Sequence, residues 1–271
     1  IHDLFTLTRP ELCDRLSVLH CRWTLPRSIR GATLVHCVSD HTLGEVRRLF
    51  PETKERLRRV YPGVEPLAGA PPGEAELAAL RRRYGLPAVA PFLFVGNVEP
   101  KKNLPVLLDA LRALRDRYGS SRSLLVVGPR AWRSRRLVRA LRGPGLRDRV
   151  YWTGYVPAED LRLLYAGALC LVLPSLCEGF GFPPLEAMSC GTPVLVSDAP
   201  ALVETAGPAA LTFDRRSPEA LAEALHRVES DEALRRRLAL EGPAHSRRFD
   251  WAESARAMVE LYREAAVPGS S

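Results

Sequence analysis

Acidic residues never occur in this sequence as Asp-x-Asp, and its six cysteines include no Cys-x-x-Cys pair and no histidines at zinc spacing. The first absence removes an obvious carboxylate pair for holding a divalent cation on a diphosphate. The second leaves disulfide and metal-finger readings without support. Cys13, Cys21, Cys37, Cys170, Cys177 and Cys190 are therefore expected as reduced thiols, mostly in the core. No apolar run reaches the roughly 18 to 20 residues that a membrane-spanning helix needs, and no secretory signal opens the chain. A soluble, cytoplasmic protein is expected. The sequence starts Ile1-His2-Asp3 without methionine, and a fragment of a longer protein is expected.

What the chain does have is length and positive charge. Its 271 residues, 46% of them hydrophobic, suit two domains of modest size. The net charge of +8 comes mainly from arginine, dense over 133–142 and 235–237. Such a surface can meet nucleic acid, anionic lipid or a phosphorylated substrate. Leu137, Val138 and Leu141 lay an apolar stripe beneath the first run, which reads as one solvated helix face. No nucleic-acid module signature accompanies the charge, so no nucleic-acid partner is expected.

Residues 61–73 are dense in proline and glycine and suit neither helix nor strand, so they read as an interdomain linker. Before them, the pattern predicts a strand over 33–38, a helix over 40–50 capped by Ser39 or Asp40, and a strand over 57–61. After them, β-runs at 92–95, 124–127, 150–152, 169–173, 194–196 and 210–213 alternate with helical segments. The helix after the first of these has Asn103 as its expected cap, Pro105 in its first turn and leucines at helical spacing from Leu104 to Leu114. Strands alternating with helices imply a parallel sheet covered on both faces, with ligands outside the carboxyl ends of the strands. A last helix, 251–266, follows expected breaks at Gly242-Pro243 and Phe249-Asp250, and its Met258, Leu261 and Tyr262 suit packing back across a domain boundary. The expected division is 1–68, 69–250 and 251–271.

The segment Glu178-Gly-Phe-Gly-Phe-Pro-Pro-Leu-Glu186 carries the most chemistry. It follows an apolar strand, holds Gly179 and Gly181 where backbone can approach a ligand, and enters a helix with Pro184 in the first turn and Gly191 past the end. Free amides and a helix start hold phosphate oxygens, whereas carboxylates accept from hydroxyls. A ligand offering both is a nucleotide sugar. Gly96-Asn97-Val98-Glu99-Pro100-Lys101-Lys102 ends another strand, and a lysine there would neutralise a departing diphosphate. Gly154-Tyr155-Val156-Pro157 ends a third and offers backbone to a planar base; Gly128-Pro129-Arg130 is a weaker case of the same kind. His2 follows an expected strand end and can face the donor across a cleft. Taken singly, each of these has a plain structural reading: solvated lysines, surface carboxylates, a simple turn, an exposed terminal histidine. The two glutamates with the glycines and prolines between them do not.

The stretches 94–104, 173–178 and 179–194 resemble the retaining glycosyltransferases of family 4, most of all bacterial mannosyltransferases that build O-antigen and exopolysaccharide. Ile1-His-Asp-Leu, Val38-Ser-Asp-His-Thr and Val60-Tyr-Pro-Gly-Val64 are similar to the back half of that family's first domain. The resemblance implies an α/β GT-B fold: a C-terminal Rossmann-like domain with a doubly wound parallel sheet, plus a partial N-terminal Rossmann-like domain. It implies transfer of a hexose from GDP-mannose or a UDP-hexose to a glycan or lipid-linked acceptor, with no metal and no cofactor, at or near the inner face of the membrane. By the same resemblance Glu178 accepts from donor-sugar hydroxyls, the amides of Gly179, Phe180 and Gly181 line sugar and phosphate, and Glu186 takes the ribose hydroxyls. Lys102 contacts the diphosphate, and His2 matches a histidine near the sugar C1. Many relatives carry arginine after the strand-end glycine Gly96; here it is Asn97, and Lys101 is the expected replacement. The alternatives are a non-catalytic nucleotide-sugar-binding module and a basic binder of nucleic acid or membrane surface.

Overall fold

The computed structural model describes residues 1–65, 67, 72–131, 135–141, 143 and 145–266, with the backbone alone for Arg135 and Arg136. Two parallel sheets organise them. In the first, β1 (Val35–Cys37) pairs with β2 (Leu57–Arg59). Ile29, Val35, Cys37, Val46, Phe50 and Leu57 form a core around it with Leu4.

The second sheet has six strands: β3 (Phe92–Val95), β4 (Leu124–Val127), β5 (Val150–Gly154), β6 (Cys170–Leu173), β7 (Val194–Ser197) and β8 (Leu211–Phe213). Every pairing is parallel, in the order β5-β4-β3-β6-β7-β8. β3, β4, β6 and β7 are buried along their whole length, as expected of strands covered by helices on both faces. The order reverses at β3: β4 and β5 lie to one side, β6 to β8 to the other. The carboxyl ends of β3 and β6 therefore lie at the point of reversal, and the crevice outside them is the place where open α/β sheets bind ligands. Val38 and Val64 belong to the core of this larger sheet, so the first body is keyed into the second.

Three local expectations are corrected. Asn103 does not cap helix Leu104–Tyr118 through its side chain; its backbone is left-handed at φ 53°, and Nδ2 donates to Arg215 O at 2.8 Å. Gly242-Pro243 does not break the chain: helix Glu232–Ser246 runs through both, with Gly242 packed against Met188, where a Cβ would come within 3.3 Å. The cysteines are free thiols, as expected, but Cys37, Cys170 and Cys177 are buried and the other three half-buried, so half of them rather than most sit in the core. Of the expected linker, residues 66 and 68–71 lie outside the described residues; Val64 is fixed by its N–H donating to Phe249 O at 2.9 Å. Helix Trp251–Ala266 does return to the first body, but through polar and close contacts: Arg58 pairs with Glu264, and Trp251 lies against Gly63. Tyr262 is exposed. Over 133–142, residues 133, 134 and 142 lie outside the described residues, while Leu137 and Leu141 of helix Arg135–Leu141 are buried as expected.

Candidate active site

Gly96, Gly128 and Gly154 end β3, β4 and β5 with φ of 148°, 138° and 74°. The strand ends are crowded: a Cβ on Gly128 would fall 2.1 Å from Gly96 O. Only glycine permits that backbone approach. Beyond Gly96, the chain exposes Asn97, buries Val98 and turns through a short 3-10 segment, Pro100–Lys102, into helix Leu104–Tyr118. This turn brings Lys102 across the crevice. Its Nζ lies 2.5 Å from Glu178 Oε1, beyond the end of β6, and Ser175 Oγ donates to the same oxygen at 2.6 Å. The Lys102 and Glu178 side chains are only 12% and 10% exposed. Leu176 N–H donates to Lys101 O at 2.8 Å and ties the two loops together.

Lys101 lies 3.6 Å from Glu99. Burial works to depress its ammonium, but Glu99, Glu178 and Asp3 outweigh that and hold it above its ordinary range. Two cations therefore stand at the mouth of the crevice, one paired within it and one beside it.

The loop after Glu178 is confined on both sides. A Cβ on Gly179 would fall 1.9 Å from His2 O, and one on Gly181, at φ 105°, would fall 2.5 Å from Leu202 Cδ2. Phe180 is buried among Tyr61, Phe182 and Phe249. Helix Phe182–Ser189 begins two residues after Phe180, with Pro183 and Pro184 withholding two amides from its first turn. Past its end, Gly191 takes φ 72° and donates to Met188 O at 2.9 Å, as expected. Glu186 accepts from the Tyr165 hydroxyl at 2.7 Å, and burial raises its carboxyl above the ordinary carboxylate range.

The family described as Glycosyl transferases group 1 matches residues 82–245, more than half of the chain. The chain belongs to that family. It is 31% identical over 264 residues to O-antigen chain mannosyltransferase B of Escherichia coli, covering 97% of this chain and 68% of that protein. It is 35% identical over 229 residues to a D-inositol 3-phosphate glycosyltransferase of Xylanimonas cellulosilytica, covering 80% of this chain and 54% of that one. The chain thus spans between half and about two thirds of the length of these relatives. The crystal structure of Anabaena HepE in complex with UDP and glucose superposes with a TM-score of 0.83 at 21% identity, over 97% of this chain and 70% of that one. This likeness shows the fold, which is GT-B.

Within this glycosyltransferase, Lys101, Lys102, Glu178 and Gly179 come together at the crevice, and Gly96 supports their loop. His2 meets the site through its backbone, at Gly179, while the residue itself is exposed. Glu186 is engaged with Tyr165 and makes no described contact with Lys102 or Glu178. Gly154, Tyr155 and Val156 lie two strands away at the same edge, with Tyr155 exposed and Val156 buried. Sequence reasoning assigned no part to Ser175, Glu99, Asp3 or Glu204. Ser175 had one readable signal, its place three residues before Glu178 on the same loop; Glu204 had none.

Proposed function

We propose that this glycosyltransferase moves a hexose, mannose in the first instance, from a nucleotide diphosphate sugar to a glycan or lipid-linked acceptor with retention at C1 and without a metal ion or cofactor. The observation that carries this is the Lys102 and Glu178 pair at the β3/β6 switch point, with Lys101 beside it. Glu178 Oε2 accepts no hydrogen bond from the described residues and is left for sugar hydroxyls. Lys102 and Lys101 face the diphosphate with the Gly96-Asn97 backbone, and the amides of Gly179 to Gly181 line sugar and phosphate. Glu186 takes ribose hydroxyls, Gly154 to Val156 meet the base, and His2 stands near C1. In the transfer step the C1–O bond to the diphosphate breaks, and its electron pair leaves with the nucleotide. The acceptor oxygen bonds to C1 on the same face and its proton passes to a diphosphate oxygen. The names of the mannosyltransferase relatives and the UDP and glucose bound by HepE support the donor class.

Transfer from labelled GDP-mannose and UDP-sugars by wild type and Glu178→Gln tests this. Loss of transfer in the variant is expected; undiminished transfer would sink the role of Glu178. Donor binding without turnover would instead leave a nucleotide-sugar-binding module.

Peripheral contact with anionic membrane belongs to the same proposal. Helix Arg15–Gly31 contains Arg15, Arg22, Arg27 and Arg30 and no acidic residue, and it exposes Leu16, Leu19 and Trp23 along one face. This is the pattern of a helix lying in a lipid interface. Salt-sensitive co-sedimentation with anionic but not neutral vesicles, lost in Trp23→Ala with Leu19→Ser, is expected. Equal binding to both vesicle types would refute it.

A further inference from the structure

The loop that carries Glu178 is held from across the cleft. Ser39, fully buried, donates from Oγ to Gly179 O at 2.7 Å, and Thr42 Oγ1 lies 3.4 Å from the same carbonyl. Ser39 is also the N-cap of helix Asp40–Leu49, accepting from Thr42 N–H at 3.0 Å. The first two amides of that helix go elsewhere. Asp40 N–H donates to Glu204 Oε1 at 2.7 Å and His41 N–H to Glu204 Oε2 at 2.8 Å. Glu204 belongs to helix Pro200–Ala206 of the larger body. A carboxylate of one body therefore caps a helix of the other, where charge, dipole and two charge-assisted bonds act together. The Tyr61 hydroxyl adds a third bond to Oε1 at 3.0 Å. Burial and then the Glu204 carboxylate push that hydroxyl well above its ordinary range, so it stays a donor.

The two halves of this arrangement meet at one peptide. Because a trans peptide is planar, fixing Gly179 O toward Ser39 turns the Phe180 N–H to the opposite side of the loop. That N–H donates to no described residue. We propose that Glu204 and Ser39 are positioning residues: Glu204 holds helix Asp40–Leu49 onto the larger body, and Ser39 passes that placement to the Gly179 peptide, so the loop is competent for donor only while the clamp is closed. The clamp rests on the donor-site proposal for its purpose, but its existence can be tested without any donor.

Hydrogen exchange of the ligand-free full chain should be compared for wild type, Glu204→Ala and Ser39→Ala. A peptide covering 174–182 reports the loop, and one from helix Leu104–Tyr118 reports global stability. Severalfold faster exchange of the loop peptide in both variants, with the helix peptide unchanged, is expected. For the same proteins, the apparent Kd for GDP-mannose or UDP-glucose should rise about tenfold as the competent fraction falls, with kcat at saturating donor held within about twofold. Unchanged loop exchange overturns the clamp, and so does exchange that rises equally in helix Leu104–Tyr118. A wild type that binds neither donor counts against the donor-site proposal and leaves the exchange result to decide the clamp.

Discussion

Replacing Lys102 by methionine would leave the Glu178 carboxylate without its cation in a crevice where both side chains are nearly enclosed, 12% and 10% exposed. Removing one partner of a buried ion pair costs roughly 3–5 kcal/mol, because the surviving charge stays desolvated. Two features place this pair at the lower end. Ser175 Oγ still donates to Oε1, and Lys101 is close enough for Glu178 to help hold its ammonium charged. A loss of about 3 kcal/mol is therefore expected, which lowers Tm by about 6–12 °C for a chain of this size. Adding Glu178→Met removes the second charge. Buried pairs exchanged for apolar residues are often neutral in stability, so the double variant should return to within about 1 kcal/mol of wild type, the remainder being the Ser175 hydroxyl that lost its acceptor. Transfer and donor binding are lost in Lys102→Met, in Glu178→Met alone and in the double variant. Thermal and urea unfolding of the four proteins, with and without nucleotide sugar, closes the cycle. A Lys102→Met protein that unfolds like wild type, or a double variant less stable than the single one, would refute a desolvated pair.

Gly128→Ala puts a Cβ 2.1 Å from Gly96 O at φ 138°. It should cost about 3 kcal/mol or more and raise the donor KM by shifting the Lys102 loop, as seen by unfolding and kinetics. Glu186→Gln keeps an acceptor for Tyr165 while removing a carboxylate that burial raises above its ordinary range. For an acid raised in the native state, ionisation costs stability as pH climbs from the unfolded value through the folded one. The variant should therefore be the more stable protein at neutral pH, with the gain fading in a thermal scan as pH falls through the ordinary carboxylate range, and donor affinity reduced throughout. Burial first, and then Glu178, push the Cys177 thiol up to about 12. Alkylation at pH 8 should leave Cys177 untouched until the chain is unfolded, as read by peptide mass spectrometry.

Strands were legible to within a residue or two because runs such as Phe92–Val95 and Val194–Ser197 are apolar throughout and punctuated by glycine or polar residues. Lys102 and Glu178 were each legible from their places at strand ends, since sheet topology puts ligands there. Their pairing was not, because it depends on β3 and β6 being neighbours. Asn103 and Gly242-Pro243 misled because local residue type suggested a cap and a breaker, whereas in the fold Asn103 bonds to distant Arg215 and Gly242 packs against distant Met188. Glu204 was invisible for the same reason, as its function in the fold is to satisfy amides 163 and 164 residues away.

The reversal of strand order at β3 also has a consequence in time. Lys102 and Glu178 are 76 residues apart, and all of β4, β5 and their helices lie between them. The contact can form only after that whole stretch has been looped back and β6 has docked beside β3, a closure of high sequence separation that pairings within the β3 to β5 half do not require. During synthesis, the half-sheet β3 to β5 can assemble with its lysines in place and still lack the carboxylate side of the site. A nascent chain of this protein thus acquires the crevice late, once the segment through helix Phe182–Ser189 has joined the sheet.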